Sequence, residues 1–300
     1  MTREFPQVPG VEIEHRTVRA RGLRFHVALA GPAEAEPLVL LHGWPQHWYE
    51  WRKLLPELAE RRRCVLVDLR GLGWSEAPPT GYEKETLADD VLAVLDELAI
   101  DSCDLIAHDW GAWVGFLIAL RSPARLRRFL VLNMVPPWPP WPSGRPSPRE
   151  ALGLWRLWYQ VVLATPWLGE GLLRRTRAVQ LLLRADNVHA DAFSEADLEV
   201  FAGVLAEPAR ARASSLIYRD FLLRELLPVL RGRYANVPLT VPTHLLFGVH
   251  DGALAGAVDG ITMVREGDSM TVELVEDSGH FIAEERPDLV LARAREHLDA

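Results

Sequence analysis

Four short runs of apolar residues, none with a polar interruption, constrain the fold of this chain more than any other feature. They are Leu38 to Leu41, Cys64 to Val67, Leu105 to Ala107 and Phe129 to Leu132. A strand that is apolar at every position must be covered on both faces, as in a parallel sheet flanked by helices. Helical stretches separate the runs, and Thr86 to Leu98 repeats apolar residues at helical spacing. This alternation predicts a doubly wound α/β domain.

The segment before the first run has a different pattern. Polar and apolar residues alternate in Val11 to Glu14 and in Leu23 to Val27, with Arg21 and Gly22 between them. Such alternation is typical of strands that are buried on one face only, and a glycine between two of them favours a tight turn. The pattern predicts an antiparallel hairpin at the start of a mostly parallel sheet.

The alternation of strands and helices stops at Asn133. Seven prolines follow between residues 136 and 148, and proline fixes φ and removes a donor, which predicts a stiff, extended connection. The sequence is then helical in character as far as Arg231, and Ser194 to Asp197 resembles a capping box that opens one helix. We therefore predict a core of residues 1–135 and 233–300. An inserted cap over residues 136–232 combines the proline-rich connection with an all-helical part.

The last part of the chain returns to the pattern of the first. Strands are expected at His244 to Phe247 and at Met270 to Val275, and a helix from Arg286 to Leu298 closes the chain. The predicted fold is thus α/β, with helices on both faces of one sheet.

The composition is that of an ordinary globular protein, with 49% apolar and 25% charged residues. A net charge of −8 disfavours nucleic acid as a partner. Cys64 and Cys103 both stand at the start of a predicted buried strand, so no disulfide framework is expected. No apolar run reaches the roughly 20 residues that span a bilayer, and residues 1–10 lack the apolar centre of a secretory signal. We therefore expect a cytoplasmic protein without a membrane span.

The strongest local motif is Ala107-His108-Asp109-Trp110-Gly111, which follows a predicted strand directly and precedes a helix. Small residues on either side of a central nucleophile are typical of a sharp strand-to-helix turn, the nucleophile elbow. Serine is usual at the centre of this turn, whereas this chain has Asp109. The alternative is that Asp109 only caps the following helix.

A second motif, Leu40-Leu41-His42-Gly43-Trp44-Pro45, is a strand end that leads into a glycine-containing loop. Such a loop can donate one backbone N–H to an oxyanion hole, and the residue after the nucleophile donates the other. The expected donors are the N–H groups of Trp44 and Trp110. His42 is expected to hold the loop. A plain strand-to-loop turn is the alternative.

Two further motifs follow the last two strands. Asp251 lies in Phe247-Gly248-Val249-His250-Asp251-Gly252, and His280 lies in Asp277-Ser278-Gly279-His280-Phe281. Asp251 can orient an imidazole, although Asp-Gly is also common in turns, and His280 could be a surface histidine. Together the chain order is Asp109, Asp251, His280, which is the order of nucleophile, acid and histidine in hydrolases with this elbow.

These motifs resemble those of the soluble epoxide hydrolases in the α/β-hydrolase superfamily. The resemblance rests on the motifs around Trp44, Asp109 and His280, and on the loop Asp68-Leu69-Arg70-Gly71-Leu72-Gly73-Trp74-Ser75. It extends over essentially the whole chain. It implies that Asp109 forms an ester with an epoxide, that His280 held by Asp251 activates the hydrolytic water, and that a vicinal diol is released.

The resemblance also implies two cap tyrosines that hold and protonate the epoxide oxygen, and Tyr159 and Tyr218 are in similar contexts. Either could instead simply pack, with its hydroxyl bound to a partner. Because Trp155 and Trp158 are close to Tyr159 in the sequence, the alignment of Tyr159 with the family's first cap tyrosine is uncertain by one residue. An apolar pocket for a small epoxide is expected, with substrate contacts from Trp44, Trp110, Trp155, Trp158 and Phe281.

Two other functions stay open at this point. A haloalkane or haloacid dehalogenase uses the same Asp and His chemistry, and its halide would need N–H donors such as the indole of Trp110. Two cap tyrosines, and Trp44 where many haloalkane dehalogenases carry Asn, favour the epoxide. An inert binding protein on this fold is the third possibility, because a fold does not determine a function. No metal, cofactor or nucleotide site is predicted, and the protein is expected to be a monomer or homodimer.

Overall fold

A computed structural model describes residues 4–138, 158–252 and 264–299. Its centre is an eight-stranded sheet with the order β1-β2-β4-β3-β5-β6-β7-β8. The strands are β1 (Ile13–Ala20), β2 (Leu23–Ala30), β3 (Pro37–Leu41), β4 (Arg63–Val67), β5 (Cys103–His108), β6 (Leu126–Leu132), β7 (Thr243–Gly248) and β8 (Met270–Val275). Each strand predicted from the sequence is present. β8 has the predicted bounds, β1 begins two residues later than predicted and extends to Ala20, and the other strands are slightly longer than predicted.

The hairpin at the start of the sheet forms as predicted. β1 pairs with β2 in antiparallel register, from Ile13 opposite Ala30 to Ala20 opposite Leu23. The two residues between the strands, Arg21 and Gly22, have φ values of 50° and 77°. Two consecutive residues with positive φ are typical of the turn that matches the twist of a two-residue hairpin. From β4 onward, all pairings across the sheet are parallel.

Helices cover both faces of this sheet. Those of the first and last parts of the chain are α1 (Leu55–Leu58), α2 (Lys84–Glu97), α3 (Asp109–Arg121), α10 (Ile282–Glu285) and α11 (Pro287–Leu298), with short 3₁₀ helices at Trp48–Lys53 and Pro123–Arg125. The described helices between β6 and β7 are α4 (Trp158–Ala164), α5 (Leu168–Leu173), α6 (Thr176–Ala185), α7 (Glu195–Leu205), α8 (Pro208–Asp220) and α9 (Leu226–Leu230), with a π-helical turn at Phe221–Glu225.

The continuous apolar runs divide their side chains between two cores. In β3, Val39 and Leu41 pack on the side of α2 and α3, whereas Leu38 and Leu40 pack on the side of α1 and α11. All four side chains are buried. The absence of polar residues from these strands therefore follows from burial on both faces, as predicted.

The described part of the segment between β6 and β7 is mainly helical from Trp158 to Leu230. The predicted capping box opens α7: the Ser194 hydroxyl accepts from the N–H of Asp197, and the Asp197 carboxylate accepts from the N–H of Ser194. Residues 139–157 lie outside the described residues, and they include all but the first three residues of the predicted proline-rich connection.

Cys64 and Cys103 are buried free thiols. Every described helix is too short or too polar to traverse a lipid bilayer.

Candidate active site

Asp109 stands at the turn where β5 passes directly into α3. Its φ of 48° places it in the left-handed region, which is uncommon for a residue other than glycine. The residue is buried, with 8% of its surface exposed. A backbone held in a sparsely populated conformation at a chemically reactive side chain is a mark of functional sites. The turn has the geometry expected of a nucleophile elbow.

Gly111 explains why this turn requires a small residue. A Cβ atom added there would lie 2.4 Å from the carbonyl oxygen of Leu41 and 2.5 Å from that of His42. Both atoms belong to the backbone at the end of β3, which cannot yield as a flexible side chain could. The close approach of α3 to β3 therefore depends on glycine.

We expect Gly111→Ala to lower the free energy of unfolding by about 1–3 kcal/mol or more, the usual cost of overpacking. Chemical denaturation would measure it. Gly171→Ala in α5 is the matched control, because a Cβ there meets nothing within 4 Å. Alanine in an exposed helix position is typically about 1 kcal/mol better than glycine, so the control should be neutral or more stable. Equal stability of both variants would contradict this view of the elbow.

The loop after β3 reaches Asp109 through its backbone. The N–H of Trp44 donates to Oδ1 of Asp109 at 2.8 Å. Trp110 is the second residue of α3, where N–H groups have no partner within the helix. These are the two donors predicted for the oxyanion hole. A Cβ on Gly43 would lie 2.5 Å from Cβ of Asp109, so this loop also needs glycine for its close approach.

Buried polar side chains hold that loop in place. His42 accepts from the N–H of Leu69 at 3.1 Å, which agrees with its predicted holding role. Behind the loop, Glu50 accepts from the N–H of Gly43 at 3.0 Å and lies 2.9 Å from Nδ1 of His108. The sequence did not point to Glu50 or His108. Both connect the loop to the base of the elbow.

His280 and Asp251 come together at the same edge of the sheet as Asp109. Nδ1 of His280 lies 2.8 Å from Oδ2 of Asp251, and its Nε2 lies 3.7 Å from Oδ2 of Asp109. Burial alone would lower the pKa of His280, but the charge and hydrogen bond of Asp251, with the charges of Asp109 and Asp186, raise it to about 10. The surrounding carboxylates therefore favour the protonated form of the resting imidazole.

Asn133, which the sequence analysis did not single out, completes the surroundings of Asp251. It directly follows β6 and has a φ of 43°. Its Nδ2 donates to Oδ2 of Asp251 at 2.9 Å and to the carbonyl of Gly279 at 3.1 Å. Its position in the sequence could have identified it as a site residue, because it follows a parallel strand at the edge where the other site residues lie.

A cavity of about 440 Å³ opens above Asp109, between the sheet edge and the helices of the inserted segment. Tyr159 and Tyr218 both line it, and their ring centroids are 6.2 Å apart. The amide of Gln160 donates to the hydroxyl of Tyr159 at 3.3 Å. Burial, and to a lesser extent the charge of Asp109, raises the pKa of both phenols, which therefore stay protonated at neutral pH.

The predicted aromatic contacts divide into three groups. Trp44, Trp158 and Phe281 line the cavity with the two tyrosines, and Trp158 is the most exposed of them at 59%. Trp110 is absent from the residues that line the cavity; its ring packs edge-on against Tyr218, 5.7 Å between centroids. Trp155 lies outside the described residues.

Asp186, at the end of α6, lies beside the acid and the histidine. The donor atoms of Asp186, Asp251 and His280 are all within 4.8 Å of one another, a spacing that could hold a metal ion. A cation there would compete with the hydrogen bond between His280 and Asp251. The cluster therefore fits an acid–base pair better than a ligand set.

The loop from Asp68 to Ser75 folds around a buried carboxylate. Asp68 accepts from the N–H groups of Trp48 at 2.8 Å and Trp74 at 2.9 Å, and from His26 at 2.7 Å. A Cβ on Gly73 would lie 2.1 Å from an oxygen of Asp68, and its φ of 51° also suits glycine. The motif thus supports the loop after β3 and leaves the reacting groups to other residues.

Comparison with known proteins agrees with this geometry. The chain matches the alpha/beta hydrolase fold family over residues 36–287. It is 33% identical to the soluble epoxide hydrolase of Corynebacterium sp. (strain C12) over 94% of this chain and 96% of the relative.

Two solved structures are similar over nearly their whole length. The epoxide hydrolase CorEH, without ligand, has a TM-score of 0.81 at 32% identity, covering 96% of this chain and 99% of that structure. The epoxide hydrolase VrEH1 of Vigna radiata has a TM-score of 0.80 at 26% identity, covering 95% and 97%. The extent of these matches, on a sheet that carries an aspartate at its elbow, shows that the chain belongs to the soluble epoxide hydrolases of the α/β-hydrolase family.

Proposed function

We propose that this enzyme hydrolyses small apolar epoxides to vicinal diols through an ester on Asp109. The observation that carries the proposal is the pair of phenols, a buried Tyr218 and a half-buried Tyr159, in the same cavity as the Asp109 carboxylate. An alkoxide is a poor leaving group, so opening of the ring needs a hydrogen bond or a proton at its oxygen. Protonated phenols supply that donor.

The first half of the proposed reaction forms the ester. Oδ1 of Asp109 accepts the N–H of Trp44, which leaves Oδ2 to attack an epoxide carbon. The carbon–oxygen bond of the ring breaks as the new ester bond forms, and the ring oxygen takes a proton from Tyr159 or Tyr218. The product on the enzyme is a glycol monoester of Asp109.

The second half hydrolyses that ester. Esterification removes the negative charge of Asp109, one of the charges that raise the pKa of His280, so the imidazole loses its proton more readily. The imidazolium gives its proton to the phenolate left by ring opening, and Nε2 of the neutral His280 then takes a proton from water, which attacks the ester carbonyl carbon. The bond between this carbon and Oδ2 breaks as the tetrahedral intermediate collapses. The departing diol oxygen takes its proton from His280, which recovers one from the new carboxylic acid of Asp109. The N–H groups of Trp44 and Trp110 stabilise the oxyanion, and such a donor is typically worth about 3 kcal/mol.

Dehalogenation is the second candidate, and one observation favours it. The indole Nε1 of Trp44 is buried and has no hydrogen-bond partner among the described residues, and a departing halide could accept from it. A halide needs no proton, however, and the two phenols would then have no role. The epoxide reaction gives both phenols a role.

Product analysis distinguishes the two reactions. We expect diol from styrene oxide and much slower halide release from a bromoalkane, with both lost in Asp109→Ala. A single turnover in heavy-oxygen water should place the label in Asp109 and leave the diol unlabelled, because water attacks the ester carbonyl. Full activity of Asp109→Ala, label in the first diol, or faster halide release than ring opening would overturn the proposal.

The division of the chain and its setting are part of the same proposal. We assign residues 1–135 and 233–300 to the hydrolase core and residues 136–232 to the cap. The helical character of the described part of the cap supports this division. We also propose a cytoplasmic monomer or homodimer that acts without a metal or cofactor.

A further inference from the structure

The loops that carry the acid and the histidine extend well beyond the sheet. β7 ends at Gly248, three residues before Asp251, and β8 ends at Val275, five residues before His280. The sheet alone therefore does not determine the distance between these two side chains. Contacts made by the loops must do so.

Asp186 makes one contact with each of these loops. Its Oδ1 accepts from the N–H of Gly252 at 2.7 Å, next to Asp251 in the chain. Its backbone carbonyl accepts from the N–H of His280 at 3.0 Å. One residue at the end of α6 thus bridges the two halves of the acid–base pair.

The two glycines in these loops are explained by the same residue. A Cβ on Gly252 would lie 2.5 Å from Oδ1 of Asp186, and a Cβ on Gly279 would lie 2.2 Å from its carbonyl oxygen. Neither glycine has a positive φ, so neither is required by its backbone conformation. The requirement is the close approach of Asp186.

Glu285 in α10 fixes the cap segment that follows Asp186. Its Oε2 accepts from the N–H groups of Val188 at 2.5 Å and His189 at 3.0 Å. Its Oε1 accepts from the N–H of Gly279 at 2.8 Å. The position of Asp186 against the loops is therefore held from the core side as well.

We propose that Asp186 is a positioning residue for the hydrolytic half of the reaction, because its side chain sets the spacing of Asp251 and His280 through Gly252. The inference rests on the proposed function. Formation of the ester needs Asp109 and the two phenols, whereas the two hydrogen bonds of Asp186 described above go to the loops of Asp251 and His280. Hydrolysis of the ester needs the acid–base pair, and a misplacement of about 1 Å can cost about 100-fold in rate.

Transient kinetics with styrene oxide tests this proposal in the full-length enzyme. We expect Asp186→Ala to form the ester at nearly the parental rate and to hydrolyse it about 10–100-fold more slowly. Asp186→Asn keeps an oxygen that can accept the N–H of Gly252 and should recover most of the loss. Rates are compared on the plateau of the pH profile, because loss of the charge at 186 also lowers the pKa of His280.

Two further variants keep the test independent of folding. Gly252→Ala disturbs the same contact from the core side and should reproduce the effect of Asp186→Ala. Asp191→Ala removes an exposed cap carboxylate and should change neither step. Both rate constants are measured per active site from the burst amplitude, so partial unfolding lowers the amplitude and not the rates.

The outcomes separate this inference from the proposed function. Equal slowing of both steps, unchanged hydrolysis in Asp186→Ala, or an Asn variant as slow as the Ala variant would overturn the role of Asp186. A parent enzyme that forms no diol would instead overturn the proposed function itself.

Discussion

Replacement of His280 by Gln should leave ester formation nearly intact and block ester hydrolysis. Attack of Asp109 on the epoxide needs no base, whereas attack of water on the ester does. General-base assistance typically accelerates a reaction by about 10²–10⁴-fold. We therefore expect ester hydrolysis in the variant to slow by at least about 100-fold. Mass spectrometry of the variant after exposure to styrene oxide should show the protein heavier by the mass of one epoxide.

His250→Gln is the matched control for this experiment. His250 is exposed and immediately precedes Asp251. Its substitution therefore removes an imidazole close to the site while His280 and Asp251 stay unchanged. The control should turn over at the parental rate and accumulate no adduct. A His280→Gln enzyme that neither turns over nor accumulates ester would show that His280 is structural or that Asp109 is not the nucleophile.

The double variant Tyr159→Phe/Tyr218→Phe should show the opposite effect, slow ester formation with nearly unchanged ester hydrolysis. Without a phenol the ring oxygen leaves as an unassisted alkoxide, and we expect a loss of at least about 100-fold in ring opening. Each single variant should lose less, because the remaining phenol faces the same cavity. Stopped-flow tryptophan fluorescence can resolve the two steps.

Tyr49→Phe serves as the control, since Tyr49 is only partly buried and is not among the residues that line the cavity. It should leave both steps unchanged. Ring opening at the parental rate in the double variant would refute the role of the phenols. A dehalogenase would instead be insensitive to the phenols and would depend on an indole N–H.

The sheet and its reactive edge could be predicted from the sequence because both follow from local patterns. Continuous apolar runs specify strands covered on both faces, and consecutive parallel strands bring their carboxyl ends to one edge. Asp109, Asp251 and His280 each follow such a strand, and the structure brings all three together.

Asn133 follows a strand in the same way and could have been found by the same rule. Asp186 could not. It lies at the end of a cap helix, far along the chain from both motifs that it contacts, and its place depends on how the cap packs on the core. In the sequence, the contacts of Asp186 are reflected in Gly252 and Gly279. A glycine in a turn, however, is more simply explained by the backbone conformation of the turn.

The contact between the N–H of Trp44 and Oδ1 of Asp109 has a consequence for the fate of each oxygen atom. The oxygen held there at rest becomes the carbonyl oxygen of the ester and then the oxyanion, without leaving its donor. Oδ2 departs with the diol, and the oxygen from water takes its place on the side of His280. If the carboxylate does not rotate between cycles, the newly acquired oxygen is always the next to attack. Each diol then carries the oxygen of the water consumed one cycle earlier. The isotopic composition of a product therefore reports the water that was consumed in the preceding turnover.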